Sequence, residues 1–250
     1  MPRYDRLSAL LARFELHVTP KDRTSSNLGI LAREHDDVPD RIVFSPEQSI
    51  DENIAGADTV LFCAEVAWGG SFNPLLSTLP TLIEIAIDED SELLHITSLL
   101  QIEGNKPRCG SGTILDRLGE VLLVRLLRSQ IEAGTTRAGL LGGLSDQRLS
   151  RAIVAMHEAP GRQWRNEDLA DIAGLSLSRF SELFAARVGD TPIAYLRRWR
   201  MVLAHQDAER GDRIQTIARR YGYGSGEALS RAFRREFDTC AVSLRRGAKD

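Results

Sequence analysis

No stretch of this 250-residue chain approaches the ~20 uninterrupted apolar residues of a membrane helix. The first residues, MPRYDRLSALLARFELH, carry charges where a secretory signal has an apolar core. A cytoplasmic protein with no membrane attachment is therefore expected. Cysteine is scarce: Cys63, Cys109 and Cys240 are odd in number, stand at unrelated spacings and form no CxxC pair, so neither a disulfide framework nor a zinc cluster is suggested. Histidine is equally thin. His17, His35, His95, His157 and His205 are scattered without an HxH pair, whereas a metal needs three or four ligands converging on one point. There is no phosphate loop, no GxSxG and no supported Ser/His/Asp order. Catalysis, cofactor and metal are thus all without a signal.

What is present is a folded composition, 42% hydrophobic and 27% charged, with few prolines and no biased tract. The length suits two modest domains. The net charge of −3 hides an asymmetry: from Ser145 onward 19 Lys and Arg face 14 Asp and Glu, giving +5, while residues 1–144 carry 13 against 21, giving −8. The positive end is nearly all arginine, the side chain best shaped for bidentate contact with phosphate and guanine.

In the acidic part, Leu7, Leu10, Leu11 and Phe14 stand at helical spacing ahead of Pro20, which predicts a short helix within residues 1–20. Leu28–Ala32, Arg41–Ser45, Thr59–Val66 and Leu82–Ile87 are rich in Val, Ile, Leu and Phe and are parted by turn residues, so they read as small strands. Asn73–Leu79 reads as a helical turn closed by Pro80. From Leu115 to Ala133 the residues Leu118, Val121, Leu122, Leu126 and Ile131 form the apolar face of a long helix. That face suits either a homodimer contact through Leu118, Leu122 and Leu126 or packing within its own domain. The glycine-containing stretch Ala133–Leu144 reads as a hinge.

Beyond it the chain is almost wholly helical, with segments at Asp146–Glu158, Asn166–Ala173, Ser178–Val188, Pro192–Glu209, Ile214–Tyr221, Glu227–Phe237 and a short end near Ser243. This block repeats itself. Ser176, Phe180, Phe184 and Val188 recur at an offset of 49 residues as Ser225, Leu229, Phe233 and Phe237, which points to a duplicated supersecondary unit. In each copy a small-residue helix meets a glycine-containing turn and then a second helix with a polar outer face, the helix-turn-helix pattern. The outer face shows Ser178, Arg179, Ser181 and Glu182 in the first copy, and Glu227, Ser230, Arg231, Arg234 and Arg235 in the second. The intervening Pro192–Glu209 can hold the copies about one DNA turn apart, at a rise of ~1.5 Å per residue. Arg197, Arg198 and Arg200 suit a solvated face as well as DNA. Trp164, Trp199, Tyr195, Tyr221 and Tyr223 lie on or beside apolar faces and read as core or hinge residues.

Over residues 145–246, LADIAGLSLSRFSELFAARVGDTPIAYLRRWRM and IARRYGYGSGEALSRAFRREF resemble the DNA-binding region of AraC/XylS regulators. The resemblance implies two helix-turn-helix subdomains joined by a rigid helix, with bases read by the second helix of each. Carried over by position, Ser178, Ser181 and Glu182 match readers in the first unit, and Gly226, Glu227, Ser230 and Arg231 match those in the second. Gly226 has no side chain to read with. Where the family commonly has a proline after the last recognition helix, this chain has Thr239-Cys240-Ala241-Val242.

PLLSTLPTLIEI, DRLGEVLLVRLLRSQIE and LSDQRLSRAIVAMHEAPGRQW are similar to AraC-type regulators with an N-terminal cupin barrel. The implied fold is α+β: a small cupin-like β-barrel with helices, complete or trimmed, over residues 1–144, then an all-α double helix-turn-helix domain over 145–250. The implied function is a DNA-binding transcription regulator, an activator controlled through its N-terminal domain. Its implied partners are double-stranded DNA, RNA polymerase and a second copy of itself, and its effector, a small molecule or oxidant, is unknown. Some cupin-type relatives place oxidant-sensing cysteines near Cys63, but with Glu65 close by, Cys63 also fits a buried, inert thiol. Two other readings stand beside the regulator: a cupin-like metal-dependent enzyme and a protein-interaction module with a helical appendage. The scattered histidines disfavour the first and the arginine-rich outer faces disfavour the second.

Overall fold

The computed structural model describes residues 16–33, 35–46, 48–50, 59–68, 79–88, 92–133 and 138–237, together with Leu7, Phe14 and Asn73. Two compact units divide at Arg137/Ala138.

Among its described residues the N-terminal unit carries five antiparallel strands: β1 (Leu16–Pro20), β2 (Leu28–Ala32), β3 (Arg41–Phe44), β4 (Thr59–Trp68) and β5 (Ile83–Ala86), in spatial order β1-β4-β2-β3-β5. Four lie where the β-branched and apolar runs predict them. The fifth is a correction, because Leu16–Pro20 is strand and not the end of a helix. Leu16 and Val18 point inward and His17 and Thr19 outward, a period of two that pairing with β4 rewards. Pro20 is tolerated at the end of an edge strand, where one amide can be spared.

Two helices back this sheet, α1 (Glu92–Asn105) and α2 (Ser111–Ala133). α1 has no counterpart in the expectations: Leu93, Leu94, Ile96, Leu99, Leu100 and Ile102 are spread around its circumference, so no single period stands out. The turn into α2 is held by Glu103, which accepts from Ser111 Oγ at 2.7 Å and pairs with Arg108. The hydrogen bond from Ser111 is the main reason its carboxyl lies below the ordinary value. α2 covers the free edge of β1, and Asp116 Oδ1 accepts the Val18 amide at 2.8 Å, so an unpaired edge donor is satisfied.

Of the three leucines expected at a homodimer contact, Leu118 is half-buried and the other two are spent internally. Leu122 and Leu126 are 1% and 2% exposed, with Leu123 and Leu127 beside them in the same core. The apolar side chains left outside on the two helices are instead Leu99, Ile102, Ile114 and Val121.

The C-terminal unit opens with α3 (Leu140–Ser145), where a hinge is expected. Leu140, Leu141 and Leu144 are buried, as are Gly142 and Gly143, and the Gly139 amide donates to the Arg187 carbonyl at 2.9 Å. The glycines therefore serve close packing, and the leucines between them have a core to enter. Six helices follow: α4 (Gln147–Glu158), α5 (Asn166–Ala173), α6 (Leu177–Val188), α7 (Pro192–Glu209), α8 (Ile214–Arg220) and α9 (Gly226–Phe237). Residues 134–137 of the expected hinge, most of Asn73–Leu79, the Thr239–Val242 segment and the short end near Ser243 lie outside the described residues. Among the described residues, no helix is long and apolar enough to cross a membrane.

Candidate nucleic-acid interface

The 49-residue repeat holds for the second helix of each unit. α6 and α9 begin at 177 and 226 and end at 188 and 237. Ser176 Oγ accepts the Arg179 amide at 3.4 Å, and Ser225 Oγ accepts the Ala228 amide at 3.2 Å, the same N-cap bond one repeat later. Phe180, Leu183 and Phe184 are buried on α6, and Leu229, Ala232 and Phe233 are buried on α9. With one face of each helix committed to its own core, the opposite face is left to solvent.

On α6 that face carries Ser178, Arg179 and Glu182, all exposed, with Ser181 half-buried. They form a local network. Ser178 Oγ donates to Glu182 Oε1 at 3.3 Å, and the Arg179 guanidinium stands 3.6 Å from Glu182 Oε2. The α9 face is more basic, with Glu227, Arg231, Arg234 and Arg235 exposed and Ser230 half-buried. A hydrogen bond from Ser225, chiefly, holds the Glu227 carboxyl below its ordinary value.

Gly226, a reader position by resemblance, is buried and occupied differently, because its amide donates to Gln215 Oε1 at 3.2 Å. Gln215, an exposed residue of α8, lies beside this candidate face, and only its place at the start of that helix hints at it in the sequence. Its amide nitrogen is a donor beside the N-terminus of α9, where backbone amides already favour an anion.

The aromatic residues sort with the core. Trp199, Tyr195, Trp164 and Tyr221 are at most 8% exposed, and Tyr223 is half-buried. His157 Nε2 is hydrogen-bonded to Tyr195 Oη at 2.6 Å, and its ring stacks on Trp199. Burial raises the Tyr195 phenol far above its ordinary value. Of the linker arginines, Arg197 is exposed and Arg198 pairs with Asp190 at 2.7 Å. Arg200 donates to two backbone carbonyls, Pro160 O at 2.6 Å and Arg162 O at 2.7 Å.

In the N-terminal unit Cys63 is half-buried on β4, against the cluster of Leu31, Val43 and Ile50. Glu65 and Glu84 are exposed and pair with Lys21 and Arg41 on the sheet surface. Among the described residues no three His, Cys, Asp or Glu side chains gather where they would hold a metal ion.

A duplicated helix-turn-helix domain that follows, in sequence, a small antiparallel sheet defines the class. A helix-turn-helix domain family matches residues 169–247, and a cupin family matches residues 28–132. A putative AraC-like transcription regulator of Streptomyces lividans is 36% identical over 166 residues, covering 64% of this chain and 54% of the relative. The HTH-type transcriptional regulator AlkR of Acinetobacter baylyi is 35% identical over 171 residues, covering 66% and 56%. The RCS-specific HTH-type transcriptional activator RclR of Escherichia coli is 29% identical over 206 residues, covering 80% and 72%. The chain thus carries a stretch similar to helix-turn-helix domains and one similar to cupins, and it is similar to AraC-like regulators of transcription. It spans little more than half the length of the first two of these relatives.

Proposed function

We propose that this chain is a sequence-specific double-stranded DNA-binding regulator of transcription that reads bases with α6 and α9. The observation that carries this reading is the repetition of cap and buried core in the two helices, with polar and arginine side chains left free of both cores. Ser178, Arg179, Ser181, Glu182, Glu227, Ser230 and Arg231 are the side chains offered to base edges, and Arg234 and Arg235 those offered to phosphates. Gly226 contributes its close-packed backbone and no reading group.

Activation through RNA polymerase is part of the proposal, supported by the relative named as an activator. Control passes through the cupin unit, and two copies associate through the apolar residues exposed on α1 and α2. Selecting bound fragments from random DNA with the full chain tests the reading. A recurring bipartite sequence is expected, and its affinity should fall steeply with salt as counterions are released. Recovery of unrelated fragments with no salt dependence would overturn it.

A further inference from the structure

The loop between α4 and α5 belongs to the first helix-turn-helix unit and the turn after α8 to the second, yet their backbones are in contact. A Cβ on Gly161 would overlap the carbonyl oxygen of Arg220. One on Gly222 would lie 2.6 Å from the Gly161 carbonyl oxygen. Gly222 also has φ +74°, so its own turn accounts for it, but Gly161 has no positive φ. Nothing within the first unit asks for glycine at 161, and the approach of the second unit does.

Polar bonds close the same junction. Gln163 Nε2 donates to the Gly222 carbonyl at 2.9 Å. Arg200, from the helix between the units, grips the 160–162 backbone through its two carbonyl bonds, and burial holds its guanidinium below the ordinary arginine value. The loop is itself braced, since Trp164 Nε1 donates to Ala159 O at 3.0 Å and the Arg162 guanidinium lies 4.0 Å from the centre of the Trp164 ring. A single helix joining two bodies leaves bending and twisting free at its ends. A second tie beside it removes them.

We infer that Gly161, Gln163 and Arg200 are positioning residues: they clasp the two helix-turn-helix units and so fix the spacing and rotation at which α6 and α9 meet DNA. The inference rests on the DNA-binding reading for its consequence but not for its geometry. One inserted base pair moves a half-site by about 3.4 Å and a tenth of a turn. A clasped protein cannot follow that shift, and an unclasped one can.

The experiment uses the full chain and its Gly161→Ala and Arg200→Met variants, each checked for the parent's circular dichroism spectrum. They are titrated on the selected bipartite site, on versions lengthened or shortened by one base pair, and on a single half-site. The parent should lose roughly tenfold or more at altered spacing, the cost of a misplaced contact. In both variants that penalty should shrink to about threefold or less, while half-site affinity stays within about twofold of the parent's. Variants that keep the parent's full spacing penalty overturn the clasp.

A second measurement needs no DNA. Spin labels at Asp171→Cys on α5 and Thr216→Cys on α8, with Cys63, Cys109 and Cys240 replaced by serine, report the distance between the units. One narrow distance is expected with the clasp intact and a broadened or shifted one in Gly161→Ala; an unchanged narrow distance overturns the inference. A chain that selects no DNA but loses its narrow distance in the variant would sink the functional reading and leave the clasp standing.

Discussion

Tyr221 donates its phenolic hydrogen to Asp207 Oδ2 at 2.7 Å, and the same carboxylate oxygen accepts from Arg220 Nη1 at 2.5 Å, so one buried oxygen on α7 anchors the end of α8. Asp212 takes a second bond from Arg220 at 2.8 Å. The bond to Asp207, chiefly, raises the Arg220 guanidinium above its ordinary value.

Asp207→Ala should therefore destabilise the chain by about 2 kcal/mol, because it removes the one carboxylate oxygen that accepts from both the buried Tyr221 hydroxyl and Arg220. Tyr221→Phe, which removes one donor and leaves the carboxylate paired to arginine, should cost about 1 kcal/mol. Denaturant melts of both variants check the order. Equal losses would mean that the bond to Tyr221 accounts for the whole effect of Asp207 and that Arg220 adds nothing.

Arg231 and Arg235 should separate reading from gripping. Arg231 stands in the earlier part of α9, where a guanidinium can pair bidentately with guanine, a contact worth roughly 1–3 kcal/mol of discrimination. Arg235 is a turn further on, where the proposed contact is to phosphate. Arg231→Ala should relax preference at particular base positions. Arg235→Ala should weaken binding to every sequence and make the salt slope shallower by about one unit. Matched and scrambled sites titrated at several salt concentrations decide it. An Arg231→Ala variant that loses both affinities equally makes Arg231 a phosphate clamp.

Acid stability should depend on Asp146, the N-cap of α4. Burial by itself would raise its carboxyl, but bonds from the Arg148 side chain and from the Arg148 and Leu149 amides outweigh it and hold the carboxyl below the ordinary value. The stabilisation is complete above the unfolded value of ~3.9 and is lost as pH falls through the lower folded one. Asp146→Ala should cost about 1 kcal/mol at neutral pH and less near pH ~3. Thermal melts across that range would show a loss independent of pH if the cap were not ionised.

On α2, Leu122 and Val121 should behave oppositely. Leu122→Ala cuts into the core of the N-terminal unit and should cost about 2–5 kcal/mol without a direct effect on association. Val121→Glu, at a position 46% exposed, should leave the melting temperature nearly unchanged while dissociating a homodimer. Light scattering beside thermal melts separates the two, and a Val121→Glu protein with the parent's mass would place association elsewhere.

The C-terminal half was almost wholly legible in its residues, because it is built from local signals. Ser176 and Ser225 cap the helices that follow them, and Phe180, Phe184, Leu229 and Phe233 mark a helical stripe read at fixed spacing. Such signals act over one or two turns and need no distant partner. The strands β2 to β5 were legible for the same reason, as short apolar runs between turn residues. What the tertiary structure alone decided depends on which surfaces meet. Leu16–Pro20 became strand because β4 was there to pair with it, α1 packs although its apolar residues surround it, and Leu140–Ser145 became a buried helix because a core received its leucines. Leu122 has the same pattern whether its face meets another chain or its own core, and periodicity records that a face is covered without recording by what. Gly161 is the sharpest case: its side chain is excluded by a carbonyl oxygen 59 residues away in sequence, a contact that no local spacing encodes.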